Sequence, residues 1–318
     1  MRERLSMLAA SISNEKEEST MTEVNPVLVR YRRDRANAFE QPGAPGVLDH
    51  LSGAREMIGE LLNLNPTPPK PALSEPVELI YDGGKTKQTL VYRADGNVCK
   101  VALTPDAEDR LRNEYALLGG PFKGYEMFPQ VDGMAYVEDR RIGGKHLCLR
   151  ERFVEGEDVL AHVERRASEG WPLSSRELFS LVLGMFDAMA VVCRAGYIHR
   201  DPHPGNWIVT PDGHVVLIDF GLCASVAECA GPLVGERVIS RGYEAPELRN
   251  LGIASPASDV YSTAKVIAKF MFGTRDVRAL PRNIPFADFL RCAMAQKPAA
   301  RYSDAYEARA ALMASYRS

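Results

Sequence analysis

Cysteine is scarce and scattered in this chain of 318 residues, which has six of them and no C-x-x-C pair. No histidine stands at zinc-finger spacing from them, so we expect reduced thiols rather than a disulfide framework or a metal site. The chain also lacks any run of about 18 apolar residues that could cross a membrane, and the apolar run in its start, MRERLSMLAASIS, is too short for a secretory signal. These absences predict a soluble protein of the cytoplasm, or of a host cytosol if the polar start is an export signal.

An excess of charge of either sign is missing as well. Lys plus Arg number 39 against 42 Asp plus Glu, which gives a net charge of -3. We therefore expect no general attraction to nucleic acid or to acidic membranes, and any anionic ligand must be held by local groups. With 45% hydrophobic and 25% charged residues, the composition is typical of a globular protein with one large or two smaller cores.

Residues 1–76 differ in composition and in hydrophobic pattern from the rest of the chain. A polar start predicts disorder, and the 3-4 spacing of apolar residues predicts an amphipathic helix over 47–64. NPTPPKPALSEP, residues 65–76, is typical of a semi-extended linker because proline fixes φ and removes donors. We place a domain boundary there and expect the extension either to dock a partner or to present a solvated surface.

From Val77 the pattern changes to short alternating runs, and Asp95-Gly96 between two of them predicts a hairpin. A helix is expected from the N-cap Thr104 to a stop at Gly119-Gly120. Further strands are predicted over 134–138 and 147–154, and helices over 178–194, 258–271, 286–294 and 306–315. Strands first and helices later predict an α+β chain with two lobes and a cleft between them.

The segment YIHRDPHPGNWIVTPDGHVVLIDFGL, residues 197–222, concentrates polar residues that could carry chemistry. Phosphoryl transfer from ATP needs a carboxylate to accept the proton of the nucleophile and oxygen ligands to hold Mg²⁺ on the phosphates. Asp201 supplies the first, and Asn206 and Asp219 supply the second from the two sides of a short turn. The simpler alternative is an ordinary hairpin with loop carboxylates.

The loop HRDPHPGN, residues 199–206, resembles the protein-kinase-like superfamily, although small-molecule phosphotransferases of the aminoglycoside type and ABC1-group kinases have similar loops. Later segments resemble the eukaryotic-type protein kinase domain: ISRGYEAPEL (239–248), SDVYS (258–262) and KPAARYSDAYEARAAL (297–312). There Arg301 would pair with Glu247, and a buried pair of this kind requires both partners. The resemblance implies a bilobal kinase-like fold, with a small antiparallel β-sheet lobe carrying one helix (77–154) and a larger, mainly helical lobe (155–318). The chain's economy of length suggests a compact bacterial, effector or phage member.

The same resemblance gives roles to residues of the smaller lobe. Lys100 in VCKVAL matches the lysine that holds the α- and β-phosphates, and Glu114 is its expected partner. Glu108 competes for that role, but an acidic residue in the first helical turn is explained by the helix dipole. Gly83 and Gly84 would approach the phosphates, although the third glycine of the family's loop is missing and a Walker P-loop does not fit.

The expected adenine contacts are backbone groups of the segment that links the lobes: Glu151, Arg152, Phe153 and Val154. His203 stands where ordinary Ser/Thr kinases have a lysine. Arg200, beside Asp201, marks kinases that are usually controlled by pairing this arginine with a phosphate, for which Ser225 is the candidate. Ser240 weakly favours Ser/Thr over Tyr as the acceptor.

Together these residues predict a protein kinase that transfers the γ-phosphate of ATP to a protein hydroxyl, with Asp201 as catalytic base. The expected cofactors are ATP and Mg²⁺, with Mn²⁺ as a substitute, and the expected partner is a protein substrate. Two alternatives stay open: a small-molecule phosphotransferase and a nucleotide-binding pseudokinase scaffold, the latter because the glycine loop is degenerate.

Overall fold

The computed structural model of the chain describes residues 78–81, 88–138, 144–230, 242–282 and 285–317. The N-terminal extension, with the helix expected over 47–64, the linker over 65–76 and the boundary that follows it, lies outside these residues. Gly83, Gly84 and Ser240 also lie outside them. Expectations about these parts of the chain stay predictions.

Five strands of the described residues form one antiparallel sheet in the order β1-β2-β3-β5-β4. They are β1 (Glu78–Tyr81), β2 (Thr89–Ala94), β3 (Asn97–Ala102), β4 (Val131–Glu138) and β5 (Lys145–Arg152). The predicted hairpin joins β2 to β3: Asp95 and Gly96 have φ of 47° and 69°, and Ala94 faces Asn97 across the turn. Two successive left-handed residues are typical of the tight turn that Asp-Gly favours.

Helix α1 (Pro105–Gly119) connects β3 to β4. It begins as predicted, because the Thr104 side chain accepts a hydrogen bond from the Ala107 N–H and Pro105 occupies the first turn. One face of the sheet packs on α1 through Leu147, Leu149 and Leu111. The opposite face has its own apolar cluster, which includes Cys99 and Val101. Lys100, between these two, therefore lies on the face toward α1, as strand alternation predicts.

The second lobe is mainly helical. Its helices are α2 (Val159–Ser168), α3 (Ser175–Arg194), α4 (Pro246–Leu251), α5 (Pro256–Phe272), α6 (Pro285–Ala293) and α7 (Ala305–Arg317). The four helices predicted in this part of the chain are confirmed to within three residues at each end. Helices α2 and α4 were not predicted, although Asp158 is an N-cap signal for α2: its carboxylate accepts the N–H groups of Leu160 and Ala161.

Short strands carry the polar segment across the face of this lobe. They are β6 (Glu157–Asp158), β7 (Tyr197–Ile198), β8 (Trp207–Val209), β9 (Val215–Leu217) and β10 (Ala224–Ser225). Strand β8 pairs with both β6 and β9, and β7 pairs with β10. The large core beneath them contains Phe220, whose ring contacts Phe122 and Phe128.

A sheet lobe with one helix, followed by a larger helical lobe, confirms the expected α+β bilobal arrangement. Within the described residues, no helix combines the length and the apolar character needed to cross a membrane.

Candidate active site

Lys100 of β3 and Glu114 of α1 meet on the α1 face of the sheet. Lys100 Nζ donates to Glu114 Oε1 at 2.7 Å, and the Phe220 N–H donates to the same oxygen at 2.9 Å. Glu108, the competing candidate, instead accepts a hydrogen bond from the Tyr136 hydroxyl. One buried carboxylate oxygen thus connects the lysine of the sheet lobe to the loop that begins at Asp219.

A second carboxylate contacts the same lysine. Glu151 Oε2 lies 3.1 Å from Lys100 Nζ, and Glu151 is only 3% exposed. Burial, and after it the Glu151 charge, raises the pKa of Glu114 to about 8, against the lowering effect of Lys100. Burial opposes the charged form of Lys100, but Glu114 and Glu151 outweigh it and raise the pKa of the ammonium. Lys100 therefore stays protonated between the side chains of Glu114 and Glu151.

Asp201 and Asn206 belong to the loop between β7 and β8. Asn206 Nδ2 donates to the Asp201 carbonyl at 2.9 Å, which leaves the amide oxygen as the group available to a cation. His203 Nε2 lies 3.7 Å from Asp201 Oδ2, and its Nδ1 accepts the Gly205 N–H. The Asp201 side chain is 16% exposed, so it is held in the fold and still open to a substrate.

Asp219 lies just after β9, as Asn206 lies just before β8. The Ile218 N–H donates to the Asn206 carbonyl at 2.9 Å, so Asn206 and Asp219 lie at the same end of this hairpin. Asp219 has a φ of 67°, and its Oδ1 accepts the Gly221 N–H at 3.3 Å. Burial disfavours the charged form, but Lys100, His199, His203 and the Gly221 N–H together outweigh it and lower the pKa of this carboxyl. The result is an ionised carboxylate that is exposed at the surface of the described residues.

The residues expected to contact adenine are the last two residues of β5 and the two that follow it. The N–H of Arg152 donates to the Gln130 carbonyl at 2.8 Å, and the N–H of Phe153 donates to the Gly96 carbonyl at 2.9 Å. These two donors are therefore engaged within the protein. Glu151 lies inside the strand, and its side chain reaches Lys100. This side-chain contact was not predicted, and no sequence signal marks it, because it depends on the pairing of β5 with β3.

Asp259 of α5 holds the backbone just before Asp201, a contact that the sequence analysis missed. Its two carboxylate oxygens accept the N–H groups of His199 and Arg200 at 2.6 and 2.9 Å. Burial raises the pKa of Asp259 to about 7, and burial lowers the pKa of His199 to about 4. Arg200 has a φ of 70°, an unusual conformation that these contacts hold. The clue was the Asp in SDVYS.

The region after Asp219 gives Arg200 and Ser225 local partners. Arg200 Nε donates to the Leu222 carbonyl. Ser225 Oγ donates to Glu228 Oε2 at 2.7 Å, and the Glu228 N–H donates back to Ser225 Oγ at 3.3 Å. The candidate phosphorylation site thus faces a carboxylate in the described structure.

The predicted pair of Arg301 and Glu247 is confirmed. Two parallel contacts of 2.8 Å join the guanidinium to the two carboxylate oxygens, and Arg301 is only 6% exposed. The Ser258 hydroxyl donates to Glu247 as well, at 2.7 Å. The fold has two lobes. One lobe holds the Lys–Glu pair, and the other holds the β8–β9 hairpin with its flanking aspartate. This combination is that of a kinase-like phosphotransferase.

Comparison with known proteins agrees with this class. The family model described as protein kinase domain matches residues 131–310, which is more than half of the chain. The chain therefore belongs to the protein kinase family.

Several curated relatives of this chain are bacterial proteins. Serine/threonine-protein kinase PknL of Mycobacterium tuberculosis is 29% identical over 191 residues, which cover 53% of this chain and 47% of that protein. Serine/threonine-protein kinase PknA of the same species is 33% identical over 141 residues, covering 44% of this chain and 32% of that protein. A protein of Corynebacterium efficiens, named serine/threonine-protein kinases drp72, is 25% identical over 174 residues, covering 49% and 33%. The chain spans less than half the length of these relatives.

Proposed function

We propose that the chain is an ATP-dependent kinase that phosphorylates serine or threonine hydroxyls of a protein. One observation carries this proposal: Glu114 Oε1 accepts hydrogen bonds from both Lys100 Nζ and the Phe220 N–H. That contact places a protonated lysine from one lobe beside the loop of Asp219 from the other. The names of the relatives support serine or threonine as the acceptor.

In the proposed reaction, Asp201 is the catalytic base. Its carboxylate accepts the proton of the substrate hydroxyl while the hydroxyl oxygen forms a bond to the γ-phosphorus of ATP. The bond from that phosphorus to the β–γ bridging oxygen breaks, and ADP leaves with the electron pair. His203 is close enough to Asp201 to orient its carboxylate. The ammonium group of Lys100 neutralises the negative charge of the α- and β-phosphates and so holds them in place.

The donor set fits a magnesium ion, with manganese as a substitute. Mg²⁺ prefers oxygen ligands and is usually held by one or two carboxylates together with phosphates and water. The ionised Asp219 and the amide oxygen of Asn206 offer such ligands, because Asn206 Nδ2 is engaged with Asp201. When bound, the ion would neutralise the charge that develops on the phosphates.

We assign the adenine contact chiefly to Val154 and to carbonyl groups of the segment from Glu151 to Val154, since the N–H groups of Arg152 and Phe153 are engaged. Gly83 and Gly84 stay candidates for the phosphates. We also keep as proposals a cytoplasmic location and a docking role for residues 1–76.

Control by Arg200 and a phosphate on Ser225 is a weaker proposal. Ser225 faces Glu228, and a phosphate there would meet like charge.

Intact-mass spectrometry of the purified chain with ATP and Mg²⁺ tests the proposal, with Asp219→Asn as control. We expect additions of one phosphoryl group, roughly 80 Da each, that are absent in the control and that map to serine or threonine. Nucleotide binding without such additions would favour a pseudokinase. Transfer to a panel of small alcohols but not to protein would favour the small-molecule class.

A further inference from the structure

Asn113 of α1 binds three main-chain carbonyls of the loop that follows Asp219. Its Nδ2 lies 2.7 Å from the Cys223 oxygen, 3.2 Å from the Phe220 oxygen and 3.3 Å from the Gly221 oxygen. A side-chain amide has two N–H donors. The shortest contact therefore takes one proton, and the Phe220 and Gly221 carbonyls share the other.

Glu114, the next residue, contacts the same loop with the opposite polarity, because its Oε1 accepts the Phe220 N–H at 2.9 Å. Successive residues of an α-helix point about 100° apart. The pair therefore holds the loop from two sides, with Asn113 donating to carbonyls and Glu114 accepting from an amide.

The loop also packs tightly against the helix one turn before Asn113. A Cβ added to Gly221 would lie 3.2 Å from the Cβ of Arg110, closer than nearly all such contacts. From the other lobe, Arg200 donates to the Leu222 carbonyl. The carbonyls of residues 220–223 are thus taken by donors from both lobes, and Asn113 supplies the contacts from the sheet lobe.

Asp219 is the residue immediately before these carbonyls. Its left-handed φ of 67° and the contact of its Oδ1 with the Gly221 N–H make the direction of its carboxylate depend on the path of residues 220–223. No substrate contact is needed for Asn113 to act, because it acts through the loop.

We propose that Asn113 is a positioning residue for Asp219: by binding the carbonyls of Phe220, Gly221 and Cys223, it holds the carboxylate where a magnesium–nucleotide complex needs it. This inference rests on the proposed function, since it presupposes that Asp219 binds magnesium. It implies that loss of the Asn113 donors weakens nucleotide binding when magnesium is present and leaves binding without magnesium unchanged.

The test is calorimetric binding of ADP in excess Mg²⁺ and in EDTA, on the full chain. Asn113→Asp keeps the side-chain shape but turns an oxygen toward the carbonyls, and Asn113→Ala removes the donors without adding charge. Asn97→Asp is the matched control, because Asn97 Nδ2 donates only to the Asp95 carbonyl of the β2–β3 turn in the contacts described. Urea unfolding of each variant monitors the fold.

We expect Asn113→Asp to weaken binding at least about tenfold in Mg²⁺, and Asn113→Ala by a smaller factor, with binding in EDTA changed by less than about twofold. Asn97→Asp should match the wild type in both conditions. If magnesium strengthens ADP binding by the same factor in the wild type and in both Asn113 variants, this inference is overturned and the proposed function stands. The same holds if the variants lose ADP affinity equally in Mg²⁺ and in EDTA. A wild type whose ADP binding gains nothing from Mg²⁺ overturns the proposed magnesium role, and this inference with it.

Discussion

Two buried glutamates face Lys100, and their environments differ. Glu114 Oε1 has two donors, Lys100 Nζ and the Phe220 N–H. Glu151 contacts Lys100 through Oε2, while its buried Oε1 has no hydrogen-bond partner among the described residues. A buried acceptor without a donor costs about 1–3 kcal/mol. The hydrogen bonds of Glu114 therefore stabilise the fold, whereas the unpaired oxygen of Glu151 costs stability.

We expect methionine at these two positions to have unequal effects. Glu151→Met should lower the free energy of unfolding by less than about 1 kcal/mol, because it removes an unpaired buried oxygen while Lys100 keeps Glu114 as its partner. Glu114→Met should lower it by about 2 kcal/mol, because the Phe220 N–H loses its acceptor. Urea unfolding at pH 8 measures both, and an equal loss in the two variants would contradict this assignment.

The raised pKa of Glu114 also predicts how stability changes with pH. Because burial raises this pKa to about 8, the folded protein keeps a proton that the unfolded chain has released. The contribution of Glu114 to stability is therefore greatest at low pH and is lost as the pH rises toward 8, at up to about 1.4 kcal/mol per pH unit. Glu114→Gln, neutral at every pH, should remove this slope between about pH 6 and pH 8. If the free energy of unfolding, measured with urea, falls equally with pH in the wild type and in Glu114→Gln, the raised pKa of Glu114 is refuted.

At the scale of elements, Gly156 lets the linking segment pass close to β8. Its φ is 143°, and an added Cβ would collide with the Val209 carbonyl and lie 2.8 Å from Ile208 Cγ2. We expect Gly156→Ala to lower the free energy of unfolding by at least about 2 kcal/mol. Gly213→Ala is the control, because Gly213 has a φ of 84° and open space around it, and about 1 kcal/mol is expected there. Equal losses in chemical denaturation would exclude the close approach as the cause.

The Arg301–Glu247 pair joins the start of α4 to the segment before α7. Burial disfavours the charged form of Glu247, but the hydrogen bonds from Arg301 outweigh it and lower the pKa of Glu247. We expect Arg301→Met to lower the free energy of unfolding by about 3 kcal/mol, because it leaves a largely buried carboxylate without its charged partner. The double variant with Glu247→Met should lose clearly less than the sum of the two single variants. Additive losses in a double-mutant cycle would show that the pair is not coupled.

At the scale of the whole molecule, the proline-rich segment 65–76 predicts a domain boundary. We therefore expect a chain that begins at Val77 to fold without residues 1–76. Its melting temperature should lie within about 2 °C of that of the full chain, a difference of about 1 kcal/mol or less. Thermal unfolding of both proteins measures this. A large loss of stability in the shorter chain would show that the extension is part of the folded body.

Much of the fold followed from local patterns. Asp95-Gly96 predicted the hairpin and Thr104 the start of α1, since turns and caps depend on residues a few positions apart. Helix α2 was missed because its cap signal at Asp158 was not used. Among the candidate site residues, the structure brings Lys100 to Glu114 and Asn206 to Asp201. It leaves Gly83 and Gly84 outside the described residues.

The sequence by itself determined the chemistry that this protein can offer, because the spacing of Asp201, Asn206 and Asp219 along one short segment is a local property. It also predicted that Arg301 pairs with Glu247, through resemblance to a family. Only the tertiary structure decided that Glu151 shares Lys100, that Asn113 binds the loop after Asp219, and that Asp259 holds the catalytic loop. These contacts join residues distant in the chain, and such residues meet only where sheet, helix and loop pack together.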